Sequence, residues 1–236
     1  MSGTGGPRVV SLVPSVTETL RAWGVTPLAC TRFCEQPDLP HVGGTKDPDV
    51  AAIVDLGPDL VVMCVEENRR EDADALAAAG VVTASLSIDS VADVAPALRM
   101  LGGLVGVAAE VPDLDLDLGP RPVVQAFVPI WKRPWMTLSG GTYGSSLLAA
   151  VGVGNVFAGD AERYPVVTLE EARSRRPDVV LAPSEPYPFA ERHVPALSAV
   201  APVVLVDGQD LFWWGARTRA AIDRLGGRLR DAGVLP

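Results

Sequence analysis

Short apolar runs alternate along the chain with stretches of helical periodicity. Arg8–Val13 reads as a strand that stops at Val13-Pro14, and an amphipathic helix follows as far as Gly24. Asp49–Glu66 (DVAAIVDLGPDLVVMCVE) passes from a helix-like segment through a Pro-Asp turn into an apolar, β-branched run that ends in an acid. Thr168–Glu185 (TLEEARSRRPDVVLAPSE) repeats that order, and Pro58, Asp59 and Glu66 fall on Pro177, Asp178 and Glu185 at a common offset of 119. Runs of this kind are the pattern of a strand buried on both faces of a parallel sheet.

The match extends to neighbouring elements. Pro122–Gly152 opens with a strand and a Val128-Pro129 stop, then a longer aromatic loop and a helix around Tyr143–Val151. Leu76–Leu86 and Leu197–Val206 each read as a helix end followed by a strand. Three elements matching in order point to duplication. Strands alternating with helices imply parallel sheets and right-handed crossovers. The expected fold is α/β: two Rossmann-like lobes with mostly parallel sheets, joined by a single connector, with a ligand cleft between them. The lobes take residues 1–89 and 122–236, and the connector takes 90–121. Ser90–Leu104 reads as helical, Val111–Pro122 (VPDLDLDLGPRP) as a linker that cannot continue a helix, and Gly215–Ala232 as a surface helix.

Composition narrows the partners. Over 236 residues the net charge is −9, which argues against nucleic acid because phosphate binding needs clustered Lys and Arg. Cys30, Cys34 and Cys64 form no disulfide framework or zinc spacing, and His41 and His193 stand alone, so no protein-built metal site and no intrinsic cofactor are expected. The N-terminal residues show no basic and apolar leader, and no run approaches the ~20 apolar residues of a membrane span. On that basis the chain is expected to be cytoplasmic as written, and extracytoplasmic if the N-terminus is truncated; a monomer is expected.

Ligands of open parallel sheets bind beyond the carboxyl ends of the strands. The residues there are Pro14 and Ser15 after the first strand, and Glu66, Glu67 and Asn68 after the third. In the second half they are Trp131, Trp135, Tyr143, Glu185, Tyr187, Trp213 and Trp214. Aromatic loops suit large, flat or apolar ligands. Glu71 and Glu191 each start a helix, where a carboxylate either compensates the helix dipole or meets a basic partner. No nucleophile elbow, phosphate loop or dinucleotide fingerprint is present, so no catalytic residue is assigned.

These pieces resemble the helical-backbone metal-receptor family, the class III substrate-binding proteins of ABC importers for cobalamin, haem and ferric siderophores. The likeness rests on SLVPSVTETL (Ser11–Leu20), VGGTKDPD (Val42–Asp49), PDLVVMCVEENRREDADAL (Pro58–Leu76), PIWKRPWMT (Pro129–Thr137), and RYPVVTLEE through PSEPYPF (Arg163–Phe189). It implies non-catalytic binding of a cobalamin-like or other metal chelate against Trp131, Trp135, Tyr187, Trp213 and Trp214. It further implies that Glu71 and Glu191 dock on arginines of an ABC permease. Such receptors join their lobes by one long helix, which Val111–Pro122 interrupts here, so some opening and closing of the lobes is expected. Two alternatives stay open: a chelatase or corrinoid-modifying enzyme on the same scaffold, and a ligand-free sensor or interaction protein.

Overall fold

A computed structural model describes residues 6–114 and 124–236. The chain divides into two compact units. The first runs through Ile88 and takes in Ala92–Pro112 and Trp214–Ala216; the second holds Asp89–Val91, Asp113–Trp213 and Arg217–Pro236. Of the Pro- and Asp-rich stretch read as a linker, residues 115–122 lie outside the described residues.

In the first unit the strands are β1 (Val9–Ser11), β2 (Ala29–Cys30), β3 (Leu60–Cys64) and β4 (Thr83–Leu86). They alternate with α1 (Pro14–Ala22), α2 (Val50–Leu56) and α3 (Arg70–Ala78), and α4 (Val91–Val105) follows. The second unit has β5 (Val124–Phe127), β6 (Val153–Asn155), β7 (Val179–Pro183) and β8 (Val203–Val206). Its helices are α5 (Tyr143–Ala150), α6 (Leu169–Ser174), α7 (Val194–Leu197), α8 (Gly208–Phe212) and α9 (Thr218–Asp231). Both sheets are parallel and share one order, β2-β1-β3-β4 and β6-β5-β7-β8. The α/β architecture with two parallel sheets expected from the sequence is therefore present.

The central strands are apolar because both faces are covered. All five residues of β3 and all five of β7 are buried. Val10, Leu12, Ile53, Val61, Met63 and Leu76 form the first core, and Phe127, Phe157, Val180, Ala182, Phe189 and Leu197 lie in the second. Helix α9 keeps its polar face in water but buries Ala221, Ile222, Leu225 and Leu229, so it is half of a packed layer rather than a wholly surface element.

The repeated Pro-Asp turn has a structural reason. Arg8 N–H donates to Asp59 Oδ2 at 2.7 Å, and Asp59 N–H donates back to Arg8 O at 2.8 Å. Gln125 N–H and Asp178 repeat the exchange at 2.7 and 2.8 Å. Each aspartate thus fastens the start of the third strand of its unit to the start of the first. The helix before it is capped alike, by Asp49 on Ala52 N–H and by Thr168 on Glu171 N–H.

One position differs in kind. Gly57 ends α2 in the left-handed region at φ 57°, and at the matching place after α6 stands Arg176 at φ 53°. A side chain there crowds the following carbonyl, at a cost of roughly 1–2 kcal/mol that glycine avoids. Arg176→Gly is expected to stabilise the protein by about 0.5–1 kcal/mol after the added freedom of the unfolded chain is deducted. Gly57→Arg should destabilise it by a similar amount. Urea unfolding of both variants checks the pair; a loss of stability in Arg176→Gly sinks the explanation.

Candidate functional site

Within each sheet the chain reverses direction of winding between its first and third strands, since β1 leads to β2 on one side while β3 leads to β4 on the other. Ligands of such sheets sit beyond the carboxyl ends at this switch point. In the first unit that edge is made by Pro14 and Ser15 opening α1 and by residues 65–68 after β3. Pro14 occupies the first turn of α1, where its missing N–H costs nothing, and Ser15 is buried beside it.

Asn68 joins the two strand ends. Its Oδ1 accepts from Cys64 N–H at 2.7 Å, while Nδ2 donates to Leu12 O at 3.1 Å and to Thr45 O at 2.9 Å. With its amide committed in this way and only 7% exposed, Asn68 fixes the edge rather than presenting a free group. Glu66 and Glu67 are half-buried, and Lys46 Nζ donates to Glu66 O at 2.8 Å, adding a cation that sequence pattern did not single out. Glu71 is exposed in the first turn of α3.

In the second unit the corresponding edge is aromatic. Trp131 is 44% exposed and meets Tyr187 edge-on, ring centres 5.6 Å apart. Tyr187 lies 4.8 Å from Phe189, which stacks on Trp135 at 6.0 Å with planes 6° apart. Lys132 Nζ stands 5.7 Å over the Trp135 ring. Behind them is the buried His193, its ring 5.4 Å from both Tyr187 and Phe189. Ala190 N–H donates to His193 Nδ1 at 3.1 Å, which puts the imidazole proton on Nε2, 3.5 Å from Tyr187 Oη. Burial, with Arg192 and Lys132 nearby, lowers its pKa from the ordinary value. His193 is a support for the wall, a role invisible to spacing because Tyr187 and His193 face each other only through the turn between them.

A second polar clamp holds Trp213. Its Nε1–H donates to Glu185 Oε2 at 3.1 Å, and Gln209 Nε2 donates to Oε1 at 3.3 Å. Arg217 Nη1 donates to Gln209 Oε1 at 3.0 Å, and its guanidinium lies 5.3 Å from the Trp213 ring. Both Glu185 oxygens therefore accept from side chains of their own unit, so Glu185 acts first as an anchor for the indole. The close approach needs Gly208 at the start of α8, because a Cβ there would run into the Glu185 backbone.

Tyr143 and Trp214 are 5% and 3% exposed, and each has a packing role. Thr142 caps α5 on Ser145 N–H, which turns Tyr143 inward; its hydroxyl meets Thr218 Oγ1 at 3.2 Å, and burial pushes its pKa up. Glu191 is exposed in a single helical turn over Glu191–His193. Among the described residues no three His, Cys, Asp or Glu side chains gather as a metal-ligand set, and no helix is long and apolar enough to cross a membrane.

No protein-family model matches the chain. A vitamin B12-binding protein of Salmonella choleraesuis (strain SC-B67) is 24% identical over 190 residues, which span 74% of this chain and 71% of that protein. The crystal structure of the periplasmic vitamin B12-binding protein BtuF of Vibrio cholerae superposes with a TM-score of 0.78 at 21% identity, covering 97% of this chain and 98% of that one. The periplasmic heme-binding protein BhuT, solved with two hemes, gives a TM-score of 0.79 at 21% identity, covering 96% and 98%. These neighbours are described as periplasmic, and the cytoplasmic expectation finds no support among them. In sequence the chain is similar to vitamin B12-binding proteins, and in fold it is similar to periplasmic vitamin B12- and heme-binding proteins.

Proposed function

We propose that this chain is a non-catalytic receptor for a metal chelate of the cobalamin or haem type, serving an ABC importer outside the cytoplasm. The observation that carries the reading is the sequence similarity to vitamin B12-binding proteins across 74% of the chain. The aromatic edge of the second unit supports it. Trp131, Tyr187 and Trp213 supply broad, stiff contact area, and Trp135 backs them through Phe189. Contact area of this kind suits a planar macrocycle and loses little rotamer freedom on binding. Among these chelates the reading favours a corrinoid. On this reading the half-buried Glu66 and Glu67 add a polar contact surface from the first unit, while the buried Pro14 and Ser15 and the committed Asn68 hold that surface in register. The exposed Glu71 and Glu191 are proposed to meet arginines of the permease, where rim charges govern encounter rate and partner choice.

Titration separates the ligand classes. Purified protein is mixed in turn with hydroxocobalamin, hemin and a ferric siderophore, following tryptophan fluorescence and the ligand's visible spectrum. Saturable quenching at micromolar hydroxocobalamin is expected. Binding of hemin alone would keep the receptor reading and change the ligand; no quenching by any of the three would overturn it.

A further inference from the structure

We propose that Cys30 and Cys34 are a redox-active dithiol that closes to an intramolecular disulfide. The inference stands on the first unit's geometry and does not depend on the ligand reading. Cys30 ends β2, and the chain turns back directly after it, with Cys34 N–H donating to Thr31 O at 3.0 Å. Both cysteines are buried, 0% and 6% exposed, and with Leu39 they form a small cluster of their own. Burial, with Cys34 as the neighbouring thiol, pushes the Cys30 pKa up to about 12. Cys34 also has hydroxyl partners. Its Sγ donates to Thr17 Oγ1 at 3.2 Å, and Thr31 Oγ1 lies 3.3 Å away.

The turn at Thr31–Cys34 and the shared cluster with Leu39 set the two side chains in one small pocket of the core, and a bridge requires their Cβ atoms to come within about 3.5–4.5 Å. A small-molecule disulfide such as oxidised glutathione is the oxidant. The thiolate of Cys34, the one with slight exposure, attacks one glutathione sulfur, breaks the glutathione S–S bond and expels one glutathione thiolate. Cys30, as its thiolate, then attacks Cys34 Sγ of the mixed disulfide and expels the second. One S–S bond has broken and one has formed, and the two cysteine protons end on the two released glutathiones.

Closure has a consequence inside the unit. Thr17 Oγ1 lies 2.9 Å from Ser11 Oγ and 3.1 Å from Val13 O, so a line of hydroxyls runs from the dithiol to the end of β1 and the first turn of α1. The disulfide withdraws the S–H that Cys34 offers to Thr17. The redox state is thereby felt at the switch-point edge of the first unit.

The test uses the whole chain, reduced and desalted, beside Cys34→Ser and Cys64→Ser. Each is incubated with oxidised glutathione, quenched in acid, alkylated with a maleimide and weighed intact. Trypsin cuts after Arg32, so a Cys30–Cys34 bridge joins two peptides and is read directly. The native chain and Cys64→Ser should each lose about 2 Da and protect two thiols, while Cys34→Ser shows no such loss. A bridge that forms only when the reduced chain is refolded from denaturant in the same glutathione buffer overturns the proposal, because the folded pair is then not redox-active. Full alkylation under both conditions, a lasting glutathione adduct, or a bridge to Cys64 overturns it.

Discussion

Asp210→Ala is expected to lower the unfolding free energy by about 3 kcal/mol, the lower end of the cost of removing one partner from a buried ionic cluster. Asp210 is 5% exposed in α8, and its carboxylate is shared by two arginines of the chain that follows. Arg224 Nε donates to Oδ2 at 2.9 Å and its Nη2 reaches Oδ1, while Arg217 Nη2 donates to Oδ1 at 3.2 Å. The side chain of Arg217 is only 13% exposed, so its charge depends on that carboxylate far more than does Arg224, which is 51% exposed. Arg224→Ala should accordingly cost much less, about 1 kcal/mol or below. The effect also reaches the site: Asp210 ties α8 to α9, and Arg217 carries the strain to Gln209 and Trp213. Urea unfolding read by tryptophan emission checks both points. A midpoint shift with unchanged slope gives the stability loss, and a red-shifted native spectrum reports the loosened indole. Equal, small losses in both variants would show that the cluster contributes nothing beyond its exposed half.

Much of the fold is legible because it rests on local signals. The apolar runs at Leu60–Cys64 and Val179–Pro183 had to be buried strands, and the Pro-Asp pair before each marks the hydrogen-bond exchange that fastens it to its neighbour. The candidate site is legible only as a set of strand ends. Which of those residues face outward depends on turns that carry no period. Tyr143 lies after an aromatic loop, yet the Thr142 cap starts α5 at that point and buries the ring. Glu185 stands just past the end of β7, as Glu66 does past β3 in the first copy, but Trp213, 28 residues on, takes up one oxygen. The Cys30–Cys34 contact escaped spacing rules for a like reason, since the turn at Thr31–Cys34 has no sequence signature of its own. Long-range partners of this kind are set by packing, and one chain's pattern does not encode them visibly.

Trp213 and Trp214 stand side by side in sequence, and their replacement by alanine is expected to give opposite results. Trp214 is 3% exposed and belongs to the three residues that group with the first unit. Next to it Ala216 N–H donates to Thr19 Oγ1 at 3.1 Å, which holds this segment on α1. Removing a buried indole forfeits its transfer energy and leaves a cavity, so Trp214→Ala should cost about 3–5 kcal/mol of stability. Trp213 is half-buried, with its Nε1–H on Glu185 and Arg217 near its ring. Its alanine variant should unfold within about 1 kcal/mol of the native chain, because a half-exposed ring gives up less area. If Trp213 is an anchor for the proposed chelate, the same variant should lose roughly 2–4 kcal/mol of binding, which is about 30- to 1000-fold in Kd. Measuring unfolding and hydroxocobalamin titration on both proteins separates the two roles. Should Trp213→Ala bind like the native chain while unfolding early, the indole is part of the core and the aromatic wall ends at Trp131 and Tyr187. Glu185→Gln then offers a finer reading, since it keeps an acceptor for the indole but removes the charge. Retained affinity there would assign the carboxylate to positioning, and a loss matching Trp213→Ala would give its charge a direct part in holding the ligand.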